Sequence, residues 1–192
     1  KLIADLKADI LIKNCIKKFF INPSILSEEN KLNKFSKQFW LIDPIDGTRS
    51  FYHMFKGYVT QLAYIKDAKP VYSIIYAPAL NKIWTAELNS GVYLNGKKIR
   101  KIKKKNIFTK IIDNYPKPKG ISNLLVNKIR NSKYIESGSI GLKAVLVADG
   151  TADIFVKDVS YKDWDIAPAL LINKENGNKV CDLNGKDISI SK

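Results

Sequence analysis

Histidine, methionine, arginine and cysteine are all scarce in this chain of 192 residues, and each shortage closes off a class of function. His53 is the only histidine, so a His-rich metal centre has no ligands and a His-based hydrolase would depend on one residue. It is expected to pack or to face solvent. Cys15 and Cys181 lie far apart with no Cys or His partner near either, which excludes a zinc finger, a CxxC redox site and a disulfide framework. Both are expected to be buried small apolar residues, and a reducing compartment, the cytoplasm, is the expected location. No apolar run approaches the roughly 18 to 20 residues that cross a bilayer, so no membrane partner is expected. The only methionine is Met54 and the chain opens at Lys1, so it reads as N-terminally truncated, with any upstream signal unseen.

What the chain has in excess is lysine. The formal net charge is +15, with 33 basic against 18 acidic residues, a balance that invites polyanions. Yet only Arg49, Arg100 and Arg130 carry the guanidinium fork that phosphate and base readers favour. The lysines accompany Ile and Asn throughout, as a compositional bias does. The densest run, Lys97 to Lys105, has no interleaved aromatics on which bases could stack and follows an Asn95-Gly96 turn. A solvated connection is the better reading, and no specific nucleic-acid partner is expected. With 45% hydrophobic and 27% charged residues the chain can build a packed core without staples.

Spacings of three and four from Leu2 through Leu6, Ile10, Ile12 and Ile16 to Phe19 and Phe20 predict an amphipathic helix, ended by Asn22-Pro23. After the apolar pair Ile25-Leu26 and a lysine-rich loop to Gln38, Phe39 to Ile42 reads as a buried strand stopping at Asp43-Pro44. Tyr58 to Leu88 predicts three antiparallel strands with Trp84 in the core, and Gly91 to Ile99 a hairpin about Asn95-Gly96. The stretch to about Ser137 is poorly patterned. Beyond it follow a helix over Gly141 to Asp149, a strand over Ala152 to Val156, a helix over Asp165 to Lys174 and a hairpin at Asn184-Gly185. The fold class is therefore α+β, a layered sandwich of mostly antiparallel sheets covered by helices. Residues 1–110 would carry one part and residues 111–192 the other, with one active site shared between them.

The chemistry concentrates in Trp40-Leu-Ile-Asp43-Pro-Ile-Asp46-Gly47-Thr48-Arg49-Ser50-Phe51. Two carboxylates three residues apart, at a strand end and around a proline-stiffened turn, can aim at one point. Hard divalent cations take such oxygens, keeping waters and substrate phosphate as further ligands. The backbone N–H groups of Gly47 and Thr48 can hold a phosphate, and the Thr48 hydroxyl can orient a water. A bare DPxD tetrapeptide is an ordinary turn, so the longer string carries the weight.

That string resembles the first signature of the inositol monophosphatase-like family, magnesium-dependent and lithium-sensitive phosphomonoesterases that include inositol monophosphatases and 3'(2'),5'-bisphosphate nucleotidases. Trp164-Asp165-Ile-Ala167-Pro-Ala169, running on to Glu175-Asn-Gly177, resembles the second signature, and Ile25-Leu26-Ser27-Glu28-Glu29 the third. The resemblance implies that Glu28, Asp43 and the carbonyl of Ile45 hold one magnesium and Asp43, Asp46 and Asp165 a second, with two or three Mg2+ per site. It implies direct attack of a metal-activated water on phosphorus, positioned by Thr48 with Asp5 orienting that hydroxyl, and Glu28 counts with them among the catalytic residues. Four carboxylates brought together would repel without cations, which is consistent with a metal site.

For the substrate, a small phosphorylated metabolite, the resemblance implies contacts from Gly47, Thr48, Arg49, Gly138 and Ser139. Ser137-Gly138-Ser139-Ile140-Gly141-Leu142-Lys143 and Tyr76-Ala77-Pro78 lean to the nucleotidase branch, as does Arg49. Counting forward from Gly138 puts Lys157 at a substrate-binding position, whereas counting back from Asp165 puts Asp158 there. The forward count is preferred because Leu146-Val147-Ala148 and Gly150 match without a gap, and a cation suits a second phosphate. Pro168, taken to lie in the first helical turn, and Glu175-Asn-Gly177-Asn178 depart from the pattern without removing a ligand. The expectation is a phosphatase for 3'-phosphoadenosine-5'-phosphate. Inositol-1-phosphate hydrolysis is the alternative, an inactive truncated relative and a basic binding module are rivals, and a homodimer is left open.

Overall fold

Alternating apolar residues in the first half build a seven-stranded sheet in the order β1 to β7. The computed structural model describes residues 2–30, 36–100 and 107–190. The strands are β1 (Ile25–Ser27), β2 (Gln38–Asp46), β3 (Val59–Lys66), β4 (Lys69–Ala77), β5 (Lys82–Glu87), β6 (Gly91–Leu94) and β7 (Lys97–Ile99). β1 runs parallel to β2, pairing Ile25 with Trp40, and every other neighbour in this sheet is antiparallel. The predicted meander and hairpin stand. Asp67 and Ala68 turn one corner and Asn95-Gly96 another, each pair with positive φ as two-residue hairpins require.

A short helix α2 (Thr48–Tyr52) follows β2. Before the sheet comes α1 (Ile3–Phe19), which packs its Ile12 and Ile16 against Trp40, Ile42, Leu62 and Tyr64. On the opposite face lie α4 (Ile140–Ala148) and α5 (Asp163–Glu175), whose Leu142, Val145, Leu171 and Ile172 join Val59, Ile75 and the fully buried Trp84 in the main core. Removing about 25 cal/mol of unfavourable hydration per Å² at these contacts is what holds the layers together.

A second sheet, β10 (Ile154–Phe155), β8 (Thr109–Asp113) and β9 (Ser132–Glu136), lies beyond, with α3 (Gly120–Lys128) linking β8 to β9. It is wholly parallel, which corrects the antiparallel emphasis there. The unpatterned middle of the sequence therefore holds two strands and a helix. β8 (TKIID) and β9 (SKYIE) are five residues each, with one lysine and no regular alternation of apolar and polar residues to announce a strand.

Several expectations are corrected by physical detail. β2 does not stop at Asp43-Pro44 but runs on to Asp46 through a register break. α1 buries Asp5 and Asp9 (4% exposed each) while Leu6, Ile10 and Leu11 remain exposed. Cys15 is exposed and Cys181 half-buried, so neither is the buried thiol expected. α5 begins at Asp163, which places Pro168 in the helix interior and not in its first turn. Residues Asp182 and Lys186 close a hydrogen-bonded turn about Asn184-Gly185, but no strands flank it. The lysine-rich loop at 31–35 and the basic run from 101 to 105 lie outside the described residues. Among the described residues no helix is long and apolar enough to cross a membrane.

Candidate active site

Residues three apart on a regular strand face opposite sides of the sheet. Asp43 pairs with Gln61 and Asp46 with Val59, so β2 spends one residue more than β3 over this interval. That β-bulge turns Asp46 to the side of Asp43, and it accommodates Pro44, which has no N–H to give the ladder. Both carboxylates then reach one atom. Nε2 of Gln61 lies 3.4 Å from Asp43 Oδ2 and 3.3 Å from Asp46 Oδ2, and 3.3 Å from the carbonyl oxygen of Asp165 at the start of α5. Gln61 is wholly buried, so α5, β2 and β3 meet at its amide.

The second half of the chain closes over Asp46. The backbone N–H of Gly141, in the first turn of α4, donates to Asp46 Oδ2 at 2.7 Å, and the Ser139 hydroxyl is a further donor to the same carboxylate. Ser139 also caps α4 by accepting from the Leu142 N–H at 3.0 Å. Its own N–H donates to Gly57 O at 2.6 Å. That approach demands glycine. A Cβ on Gly138 would stand 1.8 Å from Gly57 O, and one on Gly47, at φ 90°, would stand 2.9 Å from the same oxygen.

Glu28 is held beside Asp43 by its backbone N–H, which donates to Ile42 O at 3.1 Å. The four acids feel one another. Asp43 is raised well above the usual carboxylate range, first by burial and then by the charges of Asp46, Glu28 and Asp165. Burial pushes Asp46 up to about 6, against the Gly141 hydrogen bond and the charge of Lys143. Glu28 is raised by burial and by Asp165, Glu29 and Asp5, and Asp165 chiefly by burial.

Other predicted residues sit differently. The Thr48 hydroxyl donates to Ile45 O at 3.1 Å and not to Asp5, whose Oδ2 accepts the free Leu2 N–H at the start of α1, 2.9 Å away. Asp5 is nonetheless buried and close enough to raise Glu28. Arg49 is exposed on α2. The Lys157 ammonium is engaged by Asp113 Oδ1 at 2.9 Å and Asn114 Oδ1 at 2.7 Å. Lys157 and Asp158 border the same cavity of about 120 Å³, with Tyr115, Lys119 and Ser122, so the two counts are not separated by one residue facing away.

Sequence reasoning missed Gln61, Gly141, Asp113 and the role of burial at Lys143. Lys143 is 2% exposed, donates to Gly138 O at 2.6 Å, and is pushed down to about 8 by burial. It also missed Asp9, which accepts from the Ser27 hydroxyl at 2.6 Å and so ties α1 to the strand before Glu28. The only available signal for Asp9 was its i, i+4 spacing from Asp5.

Among the described residues no group of three or more His, Cys, Asp or Glu side chains is already gathered to enclose an ion. One reason is visible: Asp165 turns Oδ2 back to the Lys162 N–H, 2.6 Å away. The donor set still suits a hard divalent cation. All four acids offer oxygen, and Asp43 Oδ1 is buried with no hydrogen-bonding partner, a position costly for a carboxylate unless a cation meets it.

Residues 3–192 match the inositol monophosphatase family. A fructose-1,6-bisphosphatase/inositol-1-monophosphatase of Thermotoga maritima is 32% identical over 185 residues, 95% of this chain and 71% of that one. The 3'(2'),5'-bisphosphate nucleotidase CysQ of Haemophilus influenzae is 29% identical over 194 residues, 93% of this chain and 70% of that one. A solved IMPase of Thermotoga maritima superposes with a TM-score of 0.82 at 31% identity, covering 96% of this chain and 72% of its own. Similarity of this evenness does not separate the branches, but with a match over nearly the whole chain and the same fold it establishes that the chain belongs to the inositol monophosphatase family.

Proposed function

We propose that the chain is a magnesium-dependent phosphomonoesterase acting on a small metabolite that carries a second phosphate, with a 3'(2'),5'-bisphosphate nucleotide as the best candidate. The observation that carries the metal reading is the buried, unpartnered Oδ1 of Asp43 within a set of mutually raised acids. Glu28, Asp43, Asp46, Asp165 and the Ile45 carbonyl would hold the ions, two or three per site. Magnesium bound there supplies a Lewis acid that lowers the pKa of water and offsets charge developing on phosphoryl oxygens.

The chain's own groups do the positioning. Because the Thr48 hydroxyl gives its proton to Ile45 O, its lone pairs are left to accept from a water, fixing which way that water's remaining lone pairs point. Asp5 acts from behind this region through its charge near Glu28. Gly47, Gly138 and Ser139 form a close-packed wall against which a phosphate can be seated, with Arg49 at the exposed edge.

The substrate reading rests on the cations beside that wall. Lys157 and Lys119 line the cavity that also holds Asp113 and Asp158, and Lys143 lies within range of Asp113, so cations are at hand there to meet a second phosphate. The test is phosphate release, with and without magnesium and with lithium added, from 3'-phosphoadenosine-5'-phosphate, fructose-1,6-bisphosphate and inositol-1-phosphate. Magnesium-dependent release that is greatest from the nucleotide supports the reading. Preference for inositol-1-phosphate overturns the substrate assignment, and release indifferent to magnesium overturns the metal assignment.

A further inference from the structure

Gln61 occupies a place that neither the sequence motifs nor the proposed chemistry accounts for. It is fully buried on β3, and its one amide nitrogen is shared among the carboxylates of Asp43 and Asp46 and the main-chain carbonyl of Asp165. These groups come from β2 and α5, so the amide is where the two elements are gauged against each other. The three contacts, at 3.3 to 3.4 Å, are each longer than a strong hydrogen bond, as expected when two N–H groups are divided among three acceptors. Oε1 of the same side chain is buried with no partner at all. Leaving a buried carbonyl oxygen unpaired is costly, so the orientation is held by what the nitrogen gains.

The chemistry of the residue type matters. A lysine or arginine here would neutralise the acids and compete with a cation for them. An apolar side chain would leave two buried carboxylates to repel without a common donor. A neutral amide draws both toward one point and leaves their charge intact. Room for it is made across the interface: a Cβ on Gly141 would fall 2.4 Å from Gln61 Oε1 and 3.0 Å from Asp46 Oδ2.

We infer that Gln61 is a positioning residue for the cation-binding acids, holding Asp43 and Asp46 convergent before an ion arrives, with Gly141 as its size-matched partner. This rests on the metal reading proposed above. Residues that orient metal ligands typically cost 10- to 100-fold in affinity when replaced.

The test is the magnesium concentration at which thermal unfolding of the substrate-free, 192-residue chain is half shifted. Q61L is expected to move that midpoint upward about tenfold or more, with turnover recovering toward the wild-type kcat at high magnesium and KM for substrate little changed. G141A should move the midpoint in the same direction by pressing its Cβ against Gln61 Oε1 while leaving the amide's chemistry unchanged, and Q61N placed in G141A should bring it part of the way back. Should Q61L fail to fold, Q61N alone carries the test, since it keeps the amide but withdraws it by one carbon. A plain packing role would lower the metal-free unfolding temperature and leave the midpoint in place, and that result overturns the inference. A wild-type chain that does not respond to magnesium overturns this inference and the metal reading together, whereas a responsive wild type with an unmoved Q61L midpoint overturns this inference alone.

Discussion

The Gly141 N–H and the Asp46 carboxylate, 2.7 Å apart in space and 95 residues apart in sequence, join the first turn of α4 to the end of β2. The site is assembled at this seam, where the large sheet meets the helix that covers it. The four acids owe their positions to three elements: Glu28 to the end of β1, Asp43 and Asp46 to β2, Asp165 to the start of α5.

Replacing Asp46 with Asn should lower magnesium-dependent phosphate release by about 10²-fold or more, because a cation ligand is lost. It should not lower the unfolding temperature of the metal-free chain, since a repelling charge goes with it. Turnover at saturating magnesium together with calorimetry checks both halves. Full turnover would remove Asp46 from the cation set.

The metal-free chain should lose stability as pH rises. Asp46 has a folded-state pKa of about 6 against an ordinary 3.8, so the folded chain holds that proton more tightly. Its contribution is complete below about pH 4 and is lost as pH climbs through about 6, and Asp43, raised in the same sense, extends the loss further. Saturating magnesium should flatten this slope. Unfolding temperatures across pH 4 to 8, with magnesium and with a chelator, measure it.

Lys157→Met should cost roughly 1–3 kcal/mol of stability by leaving the Asp113 carboxylate buried beside Ser122 without its ammonium. Adding Asp113→Asn should restore most of that loss. If Lys157 also meets a second phosphate, kcat/KM for the bisphosphate nucleotide should stay about 10-fold or more down in the double variant while inositol-1-phosphate is hardly affected. Denaturant titration and the two substrates separate the structural part from the functional one.

Gly138→Ala should be among the most damaging single changes in the chain. Its Cβ would enter backbone, 1.8 Å from Gly57 O and 2.5 Å from Gly57 C, and neither can rotate away. A loss of about 1–3 kcal/mol or more is expected, read from denaturant midpoints. An unchanged midpoint would mean that the contact between the two loops is not held in solution.

Asp9→Ala should free the Ser27 hydroxyl and detach the middle of α1 from β1, costing about 1–3 kcal/mol. Hydrogen exchange of the β1 amides beside Glu28 should quicken. Exchange that remains as slow as in the parent chain would show that Asp9 does not hold this edge.

The sequence made the meander, the hairpin about Asn95-Gly96 and the four acids legible because each is written locally, as an alternation, a turn pair or a motif. It was silent where meaning depends on a partner from elsewhere. The spacing of apolar residues announces α1 but not its buried side, since Asp5 and Asp9 turn inward to Leu2 N–H and Ser27 while Leu6 and Ile10 stay out. Lys110 and Lys133 interrupt the apolar period of β8 and β9, whose parallel pairing leaves no hairpin turn to read. Gln61 carries neither charge nor motif. Its importance appears only when β2 and α5 are laid beside it.

The β-bulge between Asp43 and Asp46 makes the length of this segment a coded quantity in its own right. A chain with one residue added between Val59 and Gln61 would keep every acid, almost the same composition and nearly the same strands. The two strands would then match residue for residue, and the carboxylates, three apart on a strand without its bulge, would be out of phase, one facing the helices and the other the far side of the sheet. Variation here is therefore constrained by counting as strictly as by chemistry. Substitutions at 44 and 45 leave the phase alone, whereas a single-residue insertion in the facing strand acts on the site as a frameshift acts on a message.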